Sequence, residues 1–279
     1  MNPTEAYAAQ VDAMNAQRAG VLGERPGGDR WSGSISQRFR QDPRRESTPS
    51  LVLISSYLHP EDTLLDVGGG AGRYGLPLAL RCKELINIDP SPGMREQFEA
   101  VAAEAGINNV RYVQTDWLSA DGVTGDVALV AHVTYFVRDI EPFIRKLVMA
   151  TRRRVIIDVL SVPPPDRFAD FFPLLHGVEQ SLVPSYRELL PVLWEMGILP
   201  EVHVMPADAP PMTRTRDEAI TRAVAGASSS PEAQERARAH IEENFDQLFV
   251  ESTDGFQPRR GSESRELLIT WETASASLP

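Results

Sequence analysis

The chain has 279 residues, of which 42% are apolar and 24% are charged, a balance typical of a folded globular protein and not of a disordered one. Its formal net charge of -11 argues against a nucleic-acid enzyme, because such an enzyme needs a basic face to approach phosphates. The single cysteine, Cys82, excludes an internal disulfide and a cysteine-rich zinc site.

The sequence also indicates where in the cell the protein is expected. No apolar run approaches the roughly 20 residues of a membrane span, and residues 1–20 lack the apolar core of a signal peptide. We therefore expect a cytoplasmic protein that does not associate with membranes.

A cluster of arginines lies in the N-terminal region: Arg30, Arg38, Arg40, Arg44 and Arg45. Acidic residues are interspersed with them, which is typical of a solvated surface with local ion pairs. The alternative is that the cluster holds an anionic substrate.

In chain order, the first predicted element is a helix over residues 4–20, in which Tyr7, Val11 and Met14 repeat at helical spacing. A segment rich in glycine and proline follows, and it contains Trp31. Thr48 and Pro49 then form a helix-start signal. Together these features predict a helical extension over residues 1–49 that acts as a lid.

From residue 63 onward, short apolar runs alternate with helical stretches. The predicted strands are 63–67, 85–89, 110–114, 126–132 and 154–160, and the clearest helices between them are 91–105 and 138–150. Such an alternation predicts an α/β protein with a doubly wound, mostly parallel sheet. The runs are apolar throughout, as expected for strands that are covered on both faces.

After residue 160 this alternation ends. Residues 163–177 are too rich in proline and aromatic side chains for a regular element. The remaining predicted elements are a helix at 185–196, a strand at 201–205, helices at 215–225 and 230–249, and a last strand at 266–271. The two later helices lie between the final two strands, where we expect them to form a cap.

The most informative segment is LLDVGGGAGRYG, residues 64–75. Glycines directly after a buried strand let the backbone turn sharply and approach a ligand closely. Residues 70, 72 and 75 also fit the G-x-G-x-x-G dinucleotide pattern, but the first glycine of that match comes too late after the strand. The carboxylate of Asp66 would repel a pyrophosphate and attract an ammonium or sulfonium group. The loop therefore favours a cationic ligand.

Two more acidic residues follow the next two strands. Asp89 is placed to accept hydrogen bonds from both hydroxyls of a ribose. Asp116 is placed to accept one from an adenine amine, with Trp117 or Met94 against the ring. Since ligands of open α/β sheets bind at the carboxyl ends of the strands, the three carboxylates predict a site for an adenosine-type ligand.

The segments DVGGGAG, IDPSPGM and TDW, followed by the strand end AHVTYF, resemble the motifs of class I S-adenosylmethionine-dependent methyltransferases over roughly residues 50–160. The resemblance implies a Rossmann-like sheet with an antiparallel last strand and S-adenosylmethionine as cofactor. It also implies a methyltransferase domain over 50–279, with cofactor elements at 50–160 and substrate or cap elements near 161–197 and 207–262. The implied cofactor-binding residues are Asp66, Gly68, Gly69, Gly70, Asp89, Pro90, Met94, Asp116, Trp117, Ala131 and His132.

The methyl acceptor is less well determined. The family's motif for methylating amino groups of bases or of glutamine is absent at the end of the fourth strand. Methylation at C5 of cytosine needs a nucleophilic cysteine, whereas Cys82 is expected to be a small buried residue in a helical stretch. Metal-assisted chemistry needs clustered oxygen ligands, and Asp158 has no evident partner beyond Asp166, so we predict no metal. These arguments favour a small-molecule acceptor, with O- and N-methylation both left open.

Candidate residues for the acceptor side follow the fourth and fifth strands. His132 is the candidate general base because its imidazole suits proton transfer near neutrality, although it is equally suited to shaping the pocket wall. The candidate substrate-binding residues are Arg73, Tyr135, Phe172 and His176. The stretch containing Phe172 and His176 is interpreted as a lid or as a loop that packs on the core.

Several alternatives remain open at this stage. One is an NAD(P)-dependent oxidoreductase, another is a module that binds the cofactor without turnover, and a third is a protein or RNA methyltransferase with a basic surface. The expected partner is a small-molecule acceptor and not a nucleic acid or a membrane, and a homodimer is left open.

Overall fold

A computed structural model of the chain describes residues 1–22, 29, 31, 33–206, 213–227, 231–252, 255–262 and 264–276. Most of the glycine- and proline-rich segment after α1, together with Arg30 of the arginine cluster, lies outside these residues. No helix among the described residues is long and apolar enough to cross a membrane.

The strands are β1 (Thr63–Val67), β2 (Glu84–Ile88), β3 (Val110–Val113), β4 (Gly125–Ala131), β5 (Thr151–Leu160), β6 (Glu201–Val204), β7 (Phe249–Ser252), β8 (Gly255–Pro258) and β9 (Glu266–Glu272). Within the described part of the chain, seven of them form one sheet in the order β3-β2-β1-β4-β5-β9-β6. The pairs from β3 to β5 are parallel, whereas β9 runs antiparallel to β5 and β6. The predicted Rossmann-like sheet and its antiparallel last strand are confirmed.

The helices are α1 (Pro3–Leu22), α2 (Ser34–Gln37), α3 (Pro49–Ser56), α4 (Gly75–Ala79), α5 (Pro92–Ala105), α6 (Ile140–Ala150), α7 (Phe172–His176), α8 (Tyr186–Glu195), α9 (Arg216–Ala227), α10 (Pro231–Glu243) and α11 (Phe245–Leu248). Local sequence explains where several of them begin and end. Thr48 caps α3 by accepting a hydrogen bond from the amide of Leu51, and Ser91 caps α5 in the same way. Gly106 ends α5 in the left-handed conformation.

Three details differ from the sequence predictions. Residues 164–171 form a 3-10 helix that leads into α7, since proline at the first positions fixes helical φ angles and Phe171 is buried. The helix predicted over 230–249 divides into α10 and α11 and is followed by the unpredicted hairpin β7–β8. Cys82 lies beyond the end of α4 and not inside a helix, although it is buried as expected.

The chain order of the strands reverses between β1 and β4, which are neighbours in the sheet. The loops that leave these two strands at their carboxyl ends run to opposite sides of the sheet. The reversal therefore opens a crevice at that edge, which is where ligands bind in open α/β sheets.

Apolar side chains alternate between the two faces of the sheet, as the period of a strand requires. Leu65 faces a core shared with α1, α6 and α8, and Leu64 faces a core shared with α3, α4 and α5. A third, smaller core joins Phe171 to α9, α10 and α11. The helices between β6 and β9 thus form an additional packed layer, consistent with the expected cap.

Helix α1 is part of the main core and does not stand apart from it. Tyr7, Val11 and Met14 are 1%, 0% and 3% exposed, and the hydroxyl of Tyr7 donates to the carbonyl of Thr134 at 2.6 Å. The boundary predicted at residue 49 stays a prediction, but the first helix packs together with the residues that follow it.

Candidate functional site

The glycine loop begins one residue after β1. Gly68 has φ +73°, and its amide donates to the carbonyl of Ile88 at 2.7 Å. A Cβ at this position would lie 2.4 Å from Cγ2 of Val133. Both the backbone conformation and the lack of space therefore require glycine here.

Asp66 lies in β1 directly beneath this loop. It is fully buried, and a Cβ on Gly69 or Gly75 would come within 2.3 or 2.4 Å of its Oδ2. Neither carboxylate oxygen has a hydrogen-bonding partner among the described residues. Burial and the charge of Asp89 raise the pKa of Asp66 to about 7, against a smaller opposing effect of the Gly75 amide. A buried carboxylate in this state is a favourable position for a cationic group.

Asp89 follows β2 and is 8% exposed. Its Oδ2 accepts a hydrogen bond from the amide of Gly70 at 3.1 Å, and its Oδ1 accepts one from the amide of Ser91 at 2.9 Å. Burial raises its pKa, and these two amides partly offset the rise. The carboxylate of Asp89 thus holds the glycine loop through the amide of Gly70, and it also faces the crevice.

Asp116 and Trp117 lie in the loop after β3. Oδ1 of Asp116 accepts from the amide of Ser119 at 3.0 Å, and hydrogen bonding to Ser119 is the main reason why the pKa of Asp116 is lowered. The indole of Trp117 donates to the carbonyl of Phe143 at 3.2 Å. Asp116 is therefore a turn-forming residue as well as a residue of the crevice.

His132 directly follows β4 and has φ +60°. Its ring lies between two tyrosines, with Nε2 3.3 Å from the hydroxyl of Tyr74 and Nδ1 3.5 Å from that of Tyr135. Burial, together with the charges of Arg73 and Arg167, lowers the pKa of His132 to about 4. The imidazole is therefore neutral at physiological pH.

A cavity of about 490 Å³ occupies this crevice, a volume in the range of pockets for small organic ligands. All eleven residues predicted to bind the cofactor line it, and so does Arg73. Three of the four predicted substrate-binding residues do not: Tyr135, Phe172 and His176.

The positions of these three residues have a structural explanation. Tyr135 is 1% exposed and lies behind His132, with its hydroxyl accepting from the amide of Leu160. Phe172 packs on His176 at a ring distance of 4.4 Å, in the region of the third core. The predicted direct contacts of these three residues with the substrate are therefore not supported. Tyr135 instead positions His132.

Other cavity residues were not identified from the sequence, among them Tyr74, Ile88, Leu118, Val133, Phe136 and Phe143. Most are apolar, and the sequence offers no sign that separates them from core residues. Trp31 and Phe39, which belong to the N-terminal extension predicted to act as a lid, also line the cavity, with their rings 5.6 Å apart.

The residue that lies beside Asp158 is not Asp166, which the sequence offered as a candidate second metal ligand. Asp166 is occupied by the amide of Val183 and the side chain of Gln180. Glu266 instead lies beside Asp158, and together with His132 the two carboxylates form a compact group. Glu266 is more than 100 residues away in the chain, so no local pattern could have identified it.

The side chains of three arginines of the cluster contact residues far away in the chain, and not the carboxylates of the interspersed acidic residues that the sequence suggested. Arg40 pairs with Glu104 at 2.7 Å. Arg44 donates to the carbonyl of Ala105 and Arg45 to that of Arg73. These contacts agree with the interpretation as a solvated surface.

The central part of the chain is similar to proteins of a known family. Residues 65–157 match the family model described as a methyltransferase domain. Of the similar solved structures, a putative methyltransferase from Bacillus halodurans superimposes with a TM-score of 0.57 at 14% identity, covering 80% of this chain and 97% of the other. At that identity the superposition is evidence for the fold alone.

Two curated relatives match shorter segments. A ubiquinone biosynthesis O-methyltransferase from Azorhizobium caulinodans is 32% identical over 150 residues, which are 50% of this chain and 57% of that protein. A 23S rRNA (uracil(1939)-C(5))-methyltransferase from Shewanella sediminis is 40% identical over 62 residues, which are 22% of this chain and 14% of that protein. The chain thus spans less than two thirds of either relative.

Proposed function

We propose, from the premise that residues 65–157 are a class I S-adenosylmethionine-dependent methyltransferase domain, that this chain transfers the methyl group of that cofactor to a small organic acceptor. The observation that carries the proposal is the set of carboxylates Asp66, Asp89 and Asp116, which come from three adjacent parallel strands and line one cavity under a glycine loop.

The proposed cofactor position follows the charges and shapes of the cavity wall. The amino end lies at Asp66 and the loop from Gly68 to Gly70, and the ribose lies at Asp89. Pro90, Met94 and Trp117 flank the adenine, with Asp116 at its edge. The sulfonium then lies near Ala131 and His132.

The acceptor region is the part of the cavity that this placement leaves for a second molecule. Phe39, Phe136 and Phe143 line the cavity together with Trp31 and Val133, which favours an acceptor with an apolar or aromatic body. The sulfonium is already an activated donor, so orientation within a site closed to water supplies much of the rate.

A hydroxyl oxygen is the acceptor atom that we propose. His132 is neutral at the cavity wall, so its ring nitrogen can accept a hydrogen bond or a proton from a hydroxyl group. The O-methyltransferase relative supports the same choice. N-methylation is the alternative that an assay must separate.

An RNA acceptor is supported less well. Methylation at C5 of a pyrimidine needs a nucleophilic thiol, whereas Cys82 is 8% exposed and is absent from the described cavity lining. Burial also raises the pKa of this thiol to about 11. The net charge of -11 disfavours binding to phosphates as well.

The decisive experiment uses the whole chain and two measurements. Calorimetry compares S-adenosylhomocysteine with NAD, and we expect binding of the former only. Incubation with S-[methyl-³H]adenosylmethionine and a panel of hydroxylated and amino-substituted aromatic compounds then measures product formation. We expect labelled product from the hydroxylated compounds.

Each result has a distinct meaning. NAD binding would support the oxidoreductase alternative. Binding of S-adenosylhomocysteine without turnover on any acceptor would support a module that only binds the cofactor, and labelling of amines alone would contradict the proposed acceptor atom.

A further inference from the structure

We propose that His132, Asp158 and Glu266 bind one divalent transition-metal ion at the wall of the cofactor cavity. The use of such an ion in catalysis rests on the proposed function, but its binding does not. The three side chains offer ligand atoms that all lie within 4.8 Å of one another.

The sheet register brings these residues together. Ala131 of β4 pairs with Asp158 of β5, so His132 lies one residue beyond that pair. Asp158 faces Leu268 of β9 in the antiparallel pairing, which places Glu266 diagonally opposite Asp158 on the same face of the sheet. Three neighbouring strands therefore each bring one ligand to the same point.

Asp158 is the side chain that points most directly to a cation. It is 0% exposed, and neither of its carboxylate oxygens makes a hydrogen bond of standard geometry with the described residues, although the side chains of Glu266 and Tyr74 lie close enough to interact with it. Its Oδ2 lies 3.7 Å from Nε2 of His132. A buried carboxylate beside a second carboxylate is costly unless a cation or a shared proton neutralises the pair.

His132 is oriented as metal-binding histidines usually are. Its Nδ1 lies 3.5 Å from the hydroxyl of Tyr135, and Nε2 faces Asp158. A partner on the second ring nitrogen fixes the orientation of a ligating imidazole. Tyr74 supplies the corresponding outer contact for the third ligand, because its hydroxyl donates to Oε1 of Glu266 at 2.8 Å.

The ligand types select the class of ion. One imidazole and two carboxylates suit Zn²⁺, Mn²⁺ or Fe²⁺, whereas Ca²⁺ and Mg²⁺ prefer oxygen ligands alone. Two ligands at roughly 2.1 Å from an ion are at most about 4.2 Å apart, so the His132–Asp158 distance already fits. The ligand atom of Glu266 lies within 4.8 Å of the other two, so a shift of about 0.6 Å is enough to bring it within the same limit. Arg73 and Arg167 add two positive charges near His132, and the carboxylates of Asp158 and Glu266 supply an equal negative charge before an ion binds.

The position of the ion is relevant to the proposed reaction. His132 and Tyr74 line the cavity, so an ion held by His132 would lie at the cavity wall next to the acceptor region. There it could coordinate a hydroxyl oxygen of the acceptor and orient it. His132 would then act as a ligand and not as a general base.

Titration of the metal-free protein with Mn²⁺, followed by electron paramagnetic resonance of the free ion, tests the proposal without any enzyme assay. We expect one Mn²⁺ per chain, displaced by Zn²⁺, and a higher melting temperature when either ion is present. Asp158→Asn and Glu266→Gln should each weaken Mn²⁺ binding at least tenfold. Two variants are measured so that, if one of them fails to fold, the other still tests the proposed metal site.

Glu201→Gln is the matched control. Glu201 also lies near a histidine, with Oε2 3.4 Å from Nε2 of His203, but it is exposed and belongs to the edge strand β6. This variant should bind Mn²⁺ like the wild type. The proposal is overturned if the wild type binds neither Mn²⁺ nor Zn²⁺ at millimolar concentration, or if all three variants bind equally. Calorimetry with S-adenosylhomocysteine on the same samples shows separately whether the cofactor proposal fails.

Discussion

Asp66 combines complete burial, unpartnered oxygens and a position beneath the backbone of Gly69 and Gly75. In the ligand-free protein its ionised form is disfavoured, because no cation among the described residues pairs with it to compensate the lost hydration. A cationic ligand supplies that compensation. The affinity for the cofactor should therefore depend on whether this one residue is ionised.

The pH dependence of binding follows from that argument. The pKa of Asp66 is raised to about 7, so the carboxyl is mostly protonated below this pH and ionised above it. The affinity for S-adenosylhomocysteine should increase as the pH rises from 5.5 to 8, by up to about tenfold per pH unit below the pKa. Calorimetry at several pH values measures this dependence.

Two controls assign the pH effect to the amino end of the ligand. Adenosine lacks the ammonium group, so its affinity should stay nearly constant over the same range. Asp66→Asn should remove the dependence for S-adenosylhomocysteine. A flat profile for the wild-type protein would show that Asp66 does not pair with the ligand.

Asp89 allows a second prediction for a single residue. Asp89→Ala should weaken S-adenosylhomocysteine binding by about 1–3 kcal/mol, because buried hydroxyls lose a charged acceptor. Part of this loss comes from the loop, since Asp89 also accepts from the amides of Gly70 and Ser91.

A ligand that lacks the ribose 2′-hydroxyl separates the two contributions. The wild type should bind 2′-deoxy-S-adenosylhomocysteine more weakly than the parent compound, whereas Asp89→Ala should scarcely distinguish them. Equal discrimination by both proteins would mean that Asp89 acts only on the loop.

At the scale of elements, the glycine loop depends on a close approach between two segments. The backbone after β1 passes so near to Val133 after β4 that a side chain at Gly68 has no space. The loop and the β4 end line the same cavity. A change that separates them should therefore alter the binding site as well as stability.

Gly68→Ala tests this coupling. The substitution adds strain at φ +73° and a clash with Val133, so we expect a loss of about 1–3 kcal/mol in the free energy of unfolding and at least tenfold weaker binding of S-adenosylhomocysteine. Denaturant unfolding and calorimetry measure the two effects.

Gly106→Ala is the control with a similar backbone and no crowding. Gly106 has φ +65° but nothing within 4 Å of an added Cβ, and it lies at the end of α5. This variant should lose stability and keep its affinity. If both variants lost stability but kept their affinity, the loop would not depend on this contact for binding.

The order and type of elements could be predicted because each has a strong local signal. Continuous apolar runs identified the parallel strands, and hydroxyl caps, prolines and glycines identified the helix ends. The prediction for residues 163–177 was wrong because the prolines suggested irregular structure, whereas they start a 3-10 helix in which Phe171 is buried. The hairpin β7–β8 was missed because its strands are only four residues long.

At the scale of the whole molecule, the N-terminal helix shares a core with the sheet, whereas the cap helices pack around a core of their own. Helix α1 packs on α6 and α8 in the same core as the sheet, while Phe171 links the segment after β5 to the cap helices. The proposed domain boundaries divide the chain by sequence pattern and stay predictions, as does the homodimer.

The sequence by itself determined the doubly wound sheet, the glycine loop and the carboxylates after consecutive strands, because these depend on residues close together in the chain. All the cofactor residues predicted in this way line one cavity. The parallel arrangement of strands accounts for this, since it gathers the carboxyl ends at one edge.

Only the tertiary structure decided the acceptor side of the site. Asp158 and Glu266 meet His132 through the register of β4, β5 and β9, and the antiparallel return of the last strand joins residues that are far apart in the chain. Phe172 and His176 are placed with the cap for the same reason. Long-range strand pairing and packing fix these positions, and no local pattern of residue types encodes them.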